Sequence, residues 1–132
     1  MTIADLKTLI KSMRPKLIGK KFVFCTVSVK KFSKMNIRPV LVFKEKEGIT
    51  LIVEKKAADK NELSYSGTWS LITLTVNSDL NAVGFLAAIT KPMAESGISV
   101  NAVSAYYHDH IFVPENKARE SLRILNNLSR NA

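Results

Sequence analysis

Apolar residues recur along this chain with two different periods. Ile3, Leu6, Leu9, Ile10 and Met13 fall at helical spacing, with Lys7 and Lys11 on the other side. That pattern predicts a helix over 3–13, with Thr2 as its N-cap. Arg14-Pro15 ends it, because a residue before proline avoids the helical region. From Phe22 to Val29 the period drops to two. Phe22, Phe24, Thr26 and Ser28 alternate with Val23, Cys25, Val27 and Val29, which predicts a strand. Lys30 to Arg38 reads as a basic loop. Val40–Glu45, a Glu47-Gly48 turn and Ile49–Val53 read as a hairpin. Glu54–Leu63 reads as a short helix and Tyr65-Ser66-Gly67 as a loop.

The second half is patterned more strongly. Trp69–Val76 is a predicted strand, with Ile72, Leu74 and Val76 on one face and Leu71, Thr73 and Thr75 on the other. Asn77-Ser78-Asp79 is a loop and cap, since these side chains bond nearby backbone. Leu80, Val83, Phe85, Leu86, Ile89 and Met93 then predict a helix, kinked or broken at Pro92 and stopped by Gly97. Ile98–Tyr106 is a strand, Tyr107-His108-Asp109 turns it, and His110–Val113 returns. Pro114 starts a last helix with an Ala118, Leu122, Leu125, Leu128 stripe. The order β-α-β-β-α fits an α+β ferredoxin-like layer, an antiparallel sheet with helices on one face. The first half reads α-β-β-β-α, a degenerate or permuted companion with no residue-level repeat.

Composition narrows the class. The 132 residues are 46% hydrophobic, enough for a sizeable core. No segment approaches the roughly 18 apolar residues of a membrane span. Residues 1–11 are amphipathic, contain Asp5 and lack the apolar run of a signal peptide. One cysteine excludes an intramolecular disulfide and fits a reducing, cytoplasmic setting; Cys25 in a strand reads as core rather than catalytic thiolate. The net charge of +9 is uneven. Residues 1–63 hold 15 Lys+Arg against 6 Asp+Glu, and 64–132 hold 5 of each. Such asymmetry marks either a solvated face or an anion, nucleic-acid or acidic-partner surface.

Catalytic signatures are missing. There is no phosphate-binding lysine loop, nucleophile elbow, H-E-x-x-H or EF-hand pattern. This points away from an enzyme, and no cofactor is implied. His108-Asp109-His110 is the one metal-like cluster. On a strand its two imidazoles share a face, which leaves a zinc site short of ligands, and the alternative is a polar hairpin end. Asn77–Gly84 is more informative. A strand runs through a polar loop into a helix N-terminus, whose unpaired N–H groups attract a carboxylate, and a glycine permits close approach. An ordinary N-cap with a packing glycine fits the same residues.

Four segments then resemble ACT domains: Trp69-Ser-Leu-Ile-Thr-Leu-Thr-Val76, Asn77-Ser-Asp-Leu-Asn-Ala-Val-Gly84, Ala94-Glu-Ser-Gly-Ile-Ser-Val-Asn101 and Tyr107-His-Asp-His-Ile-Phe-Val-Pro114. They are similar to the small stand-alone bacterial proteins with two such modules, and to the modules of eukaryotic cytosolic arginine sensors. Leu17-Ile-Gly-Lys-Lys-Phe-Val-Phe24 and Glu45-Lys-Glu-Gly-Ile-Thr-Leu-Ile52 resemble the companion module. The resemblance implies two tandem modules, 1–63 and 64–132, that bind amino acids or similar effectors, and a homodimer. It implies a site at Asn77, Ser78, Asp79 and Leu80, with Val83 and Gly84 on the helix and Ile98 and Asn101 across a module interface. Gly84 would admit a carboxylate and Asp79 would pair with an amino group. No strand follows Arg130, so the first half or another chain would complete the second module's sheet. Two other functions stay open. One is nucleic-acid binding through the basic half, with Phe22, Phe24 and Phe32 as stacking candidates. The other is a ligand-free assembly module acting through a sheet edge.

Overall fold

The computed structural model describes Thr2–Ala132; Met1, the first residue of the amphipathic N-terminal reading, lies outside the described residues. The elements in chain order are α1 (Leu6–Ser12), β1 (Pro15–Val27), α2 (Val29–Lys34), β2 (Leu41–Lys44), β3 (Ile49–Glu54), α3 (Lys55–Lys60), β4 (Trp69–Leu74), α4 (Phe85–Glu95), β5 (Asn101–Ser104), β6 (Asp109–Pro114) and α5 (Ala118–Arg130). A 3-10 turn, Glu115–Lys117, leads into α5. Two compact units form: Lys20–Trp69, and the stretch through Gly19 together with Ser70–Ala132. Among the described residues no helix is long and apolar enough to cross a membrane.

In the Lys20–Trp69 unit the strand order is β2-β3-β1. The pairings are antiparallel, with Cys25 opposite Leu51 and Leu41 opposite Ile52. Val23, Cys25, Val27, Ile49, Leu51 and Val53 point one way, as the period of two requires, and bury against Ala58 and Leu63. Cys25 is a core residue, and burial pushes its thiol pKa up.

The basic segment after β1 is a helix rather than a loop. Ser28 caps α2, its Oγ accepting the Lys31 N–H at 3.0 Å. Phe32 anchors α2 to the core, while Lys30, Lys31 and Lys34 are exposed. One apolar anchor per turn gives too thin a stripe for periodicity to register. With α2 in place this unit reads β-α-β-β-α, the same order as the second half. Strand β1 also starts seven residues before Phe22, at Pro15, because Gly19, Lys20 and Lys21 hide the alternation.

In the other unit the strand order is β4-β6-β5, matching β1-β3-β2. Its core contains Ile72, Leu74, Val76, Phe85, Ile89, Met93, Ile98, Ile111, Val113 and Leu125. Leu9 and Met13, on the N-terminal helix, are fully buried in the same core. Helix α1 packs on α4 and α5. It begins at Leu6, not Ile3, because the Asp5 carboxylate, not Thr2, caps it by accepting the Thr8 N–H at 3.0 Å. Arg14 then turns to φ 42°, ending the helix before Pro15.

Helix α4 runs through Pro92 without the break its sequence suggests and continues to Glu95. Gly97, at φ 70°, closes it: its N–H donates to the Ala94 carbonyl and the Ile98 N–H donates to that of Met93. That pair satisfies two orphan carbonyls of the last turn. No strand follows α5; the first residues of β1 belong to this unit instead.

Burial of Leu9 makes a distant segment part of the second-half core. Leu9→Ala should destabilise the protein by about 2–5 kcal/mol, and Lys34→Ala by no more than about 0.5 kcal/mol, in urea unfolding monitored by circular dichroism.

Candidate functional site

The segment between β4 and α4 does not join the helix early. Residues 77–84 form a turn-rich connection, and α4 starts only at Phe85. Leu80 and Val83 match a helical stripe, yet they are 64% and 83% exposed. The reason is Gly84, which sits at φ 90°, ψ −2° as the N-cap residue. A left-handed residue there breaks the helical run that the apolar spacing suggests.

The connection is fixed at three points. Ser78 is buried, and its hydroxyl donates to Oδ2 of Asp109 at 2.9 Å. Asp79 Oδ1 accepts the Asn81 N–H at 2.8 Å, an Asx turn. Asp79 Oδ2 accepts the Thr2 hydroxyl at 2.9 Å. The Asn81 amide and then the Thr2 hydroxyl hold the Asp79 carboxyl below its ordinary pKa of 3.8, so it is charged at neutral pH.

Asp109 is the organising group on the other side. It is 7% exposed, and its second oxygen accepts the Ser104 hydroxyl at 2.6 Å. One carboxylate therefore ties the 77–84 connection to the β5–β6 hairpin. Between them lies a cavity of ≈ 190 Å³. Ser78, Asp79, Leu80, Ala82 and Gly84 line it from the connection. Phe85, Leu86 and Ala87 line it from the first turn of α4, and Ser104, Ala105 and Asp109 from the hairpin. The N-cap position of α4 is Gly84, which has no side chain to offer the first N–H groups of the helix.

Four of the residues singled out from sequence meet at this cavity: Ser78, Asp79, Leu80 and Gly84. The others lie elsewhere. Asn77 contributes only its carbonyl, which accepts the Ile3 N–H at 2.8 Å. Val83 precedes the helix and projects to solvent. Ile98 is 4% exposed and belongs to the core. Asn101 starts β5, opposite Phe112. Sequence reasoning missed Ser104 and Asp109, which meet Ser78 only through strand pairing.

The neighbouring histidines make protein hydrogen bonds. His108 Nδ1 donates to the Val76 carbonyl at 3.1 Å, and His110 Nδ1 lies 2.9 Å from the Thr73 hydroxyl. Among the described residues no group of three or more His, Cys, Asp or Glu is placed to hold a metal ion. The stacking candidates are not free ring faces. Phe22 is buried, Phe24 packs edge-on against Trp69 at 5.5 Å, and Phe32 lies on the core.

The chain thus uses a β-α-β-β-α order twice, with a cavity after the first strand of the second unit. Residues 2–70 match one ACT domain profile and residues 65–127 match another. The chain belongs to the ACT domain family, with the ferredoxin-like α+β fold in two tandem modules. Among solved structures, a Vibrio cholerae protein of unknown function, described as a possible transport protein, is 43% identical. The match covers 94% of this chain and 95% of that one, with a TM-score of 0.84. The ligand-free regulatory subunit of aspartate kinase from Thermus thermophilus is 10% identical over 89% and 98%, with a TM-score of 0.68. Escherichia coli aspartokinase III, in complex with aspartate and ADP, is 12% identical over 86% of this chain and 32% of that one, at 0.64. These last two likenesses are likenesses of fold. No curated protein matches the chain.

Two measurements follow from the geometry. Gly84→Ala should destabilise the protein by about 1–2 kcal/mol, because an L side chain resists φ 90°. His110 has its pKa lowered from 6.5, first by burial and then by His108, with Asp109 opposing. The unfolded chain then binds more protons, so stability is fully present above 6.5 and is lost as pH falls below it. A thermal-melt series from pH 7.5 to 5.5 should show a falling Tm, with a shallower fall in His110→Asn.

Proposed function

We propose that this protein is a non-enzymatic, cytoplasmic regulatory module whose cavity binds a small effector, an amino acid or a close analogue. The observation that carries the reading is the cavity itself: an uncapped helix start on one wall and the charged Asp79 on another. Those two features complement a zwitterion. The effector's carboxylate takes the N–H groups at the start of α4, aided by the helix dipole, and its ammonium takes Asp79. Leu80, Ala82, Phe85 and Ala105 supply apolar wall. The cavity is smaller than the roughly 300–1,000 Å³ of drug-sized sites, which suits a small metabolite.

Membership of a family of regulatory domains supports the same reading, as does the fold shared with aspartate kinase regulatory subunits. The buried free thiol of Cys25 suits a reducing compartment. In this account 1–63 and 64–132 are the two modules as stretches of sequence, although helix α1 packs in the core of the second, and the protein works as a homodimer. The positive charge then serves as a solvated face or an electrostatic bias toward anionic partners, rather than as a nucleic-acid platform.

Thermal-shift screening against the twenty L-amino acids tests the proposal. At a concentration of ≈ 100 Kd the stabilisation is about 2.7 kcal/mol, a rise of several degrees in Tm. Gly84 is a poor position for a blocking variant, given its backbone. Ala87, exposed on the helix wall, is a better one: Ala87→Trp should abolish the shift while leaving the apo Tm near wild type. Flat melting temperatures for every amino acid up to tens of millimolar would remove the proposal.

A further inference from the structure

The N-terminal segment reaches the cavity loop from a position 75 residues away in sequence. Ile3 pairs with Ser78 as an isolated parallel bridge. Its N–H donates to the Asn77 carbonyl at 2.8 Å, and its carbonyl accepts the Asp79 N–H at 2.8 Å. The Thr2 hydroxyl adds a third bond, to Asp79 Oδ2. Three bonds from two residues thus bracket Ser78, whose own hydroxyl is committed to Asp109. The same segment touches the next corner of the loop. The Leu6 side chain lies 3.5 Å from where a Cβ on Gly84 would sit.

Little else holds this strap down. Thr2, Ala4 and Asp5 are exposed, and Ile3 is half-buried against the core. Its anchor comes further on, at Leu9 and Met13. A turn-rich loop restrained by a lightly anchored strap has a low local opening energy. An effector that contacts Asp79 and the start of α4 needs that loop in one geometry. The strap stabilises that geometry before binding, and preorganisation of this kind raises affinity by removing an ordering cost.

We propose that Thr2 and Ile3 are positioning residues of the effector site: the strap and the effector hold the 77–84 loop cooperatively, so that occupancy of the cavity orders the N-terminal segment and loss of the strap weakens binding. This inference rests on the effector reading above. Coupling between two groups acting on one element is reciprocal in free energy. Thr2→Val removes the hydroxyl with little change of shape. Thr2→Ser keeps it. Ile3→Pro removes the N–H that Asn77 receives.

The test is hydrogen exchange and calorimetry on the full chain, with an equimolar pool of the twenty L-amino acids at about 2 mM each as the probe. Wild type with the pool should show slower exchange at the Ile3 and Asp79 amides. Ile3→Pro should speed exchange across 77–84 without the pool and should raise the apparent Kd at least about fivefold. Thr2→Val should raise it by a smaller factor with an unchanged apo Tm, and Thr2→Ser should restore it. Should Ile3→Pro fail to fold, the Thr2 pair still decides. Wild-type affinity in Thr2→Val and in any Ile3→Pro that folds, or no change at the Ile3 amide under saturation, overturns the strap while leaving the effector reading standing. No response of wild type to the pool by any readout overturns both.

Discussion

One buried carboxyl ties the two sides of the cavity together by accepting two hydroxyl donors. Asp109 sits near the turn of the β5–β6 hairpin, with Ser104 across the ladder and Ser78 on the connection before α4. A carboxylate taken out of water destabilises the fold strongly unless its oxygens are bonded. Separating the connection from the hairpin would cost Asp109 one of its two hydroxyl donors, Ser78, and leave a buried oxygen unpaired. Everything proposed for the site depends on this tie. Gly84 ends the connection, and Asp79 and the first turn of α4 line the cavity beside Ser78 and Asp109.

The second dependence is on chain connectivity. Helix α1 and the first residues of β1 belong with the second-half unit, although the sequence places them in the first half. Leu9 and Met13 fill the core beneath α4 and α5, and Thr2 and Ile3 bond to the loop above it. The site is therefore built from both ends of the chain. Its stability and its shape respond to residues that a map of the second module alone would leave out.

Much of the fold was legible. The β2–β3 hairpin, the strand starting at Trp69 and the stop at Gly97 follow from local chemistry, because turn residues and alternation act within a few positions. The errors share a cause. Leu80 and Val83 keep helical spacing but stay in solvent, since one positive φ at Gly84 outranks periodicity. The Val29–Lys34 segment is helical with a single apolar anchor, which a stripe count cannot see. Half of the named site residues reach the cavity because they are local to one loop. Asp109 was visible only as part of a turn and of a metal-like cluster, since its role comes from Ser78, 31 residues away. Long-range tertiary bonds of that sort leave no periodic trace.

The central claim is that the loop, the helix start and the hairpin act as one effector site. Amide chemical-shift mapping tests it most directly. Isotope-labelled protein is titrated in turn with each of the twenty L-amino acids. The account predicts saturable shifts concentrated at residues 78–87 and 104–109 for at least one of them. Saturable shifts confined to residues 20–69, or a spectrum unmoved by all twenty, would contradict it.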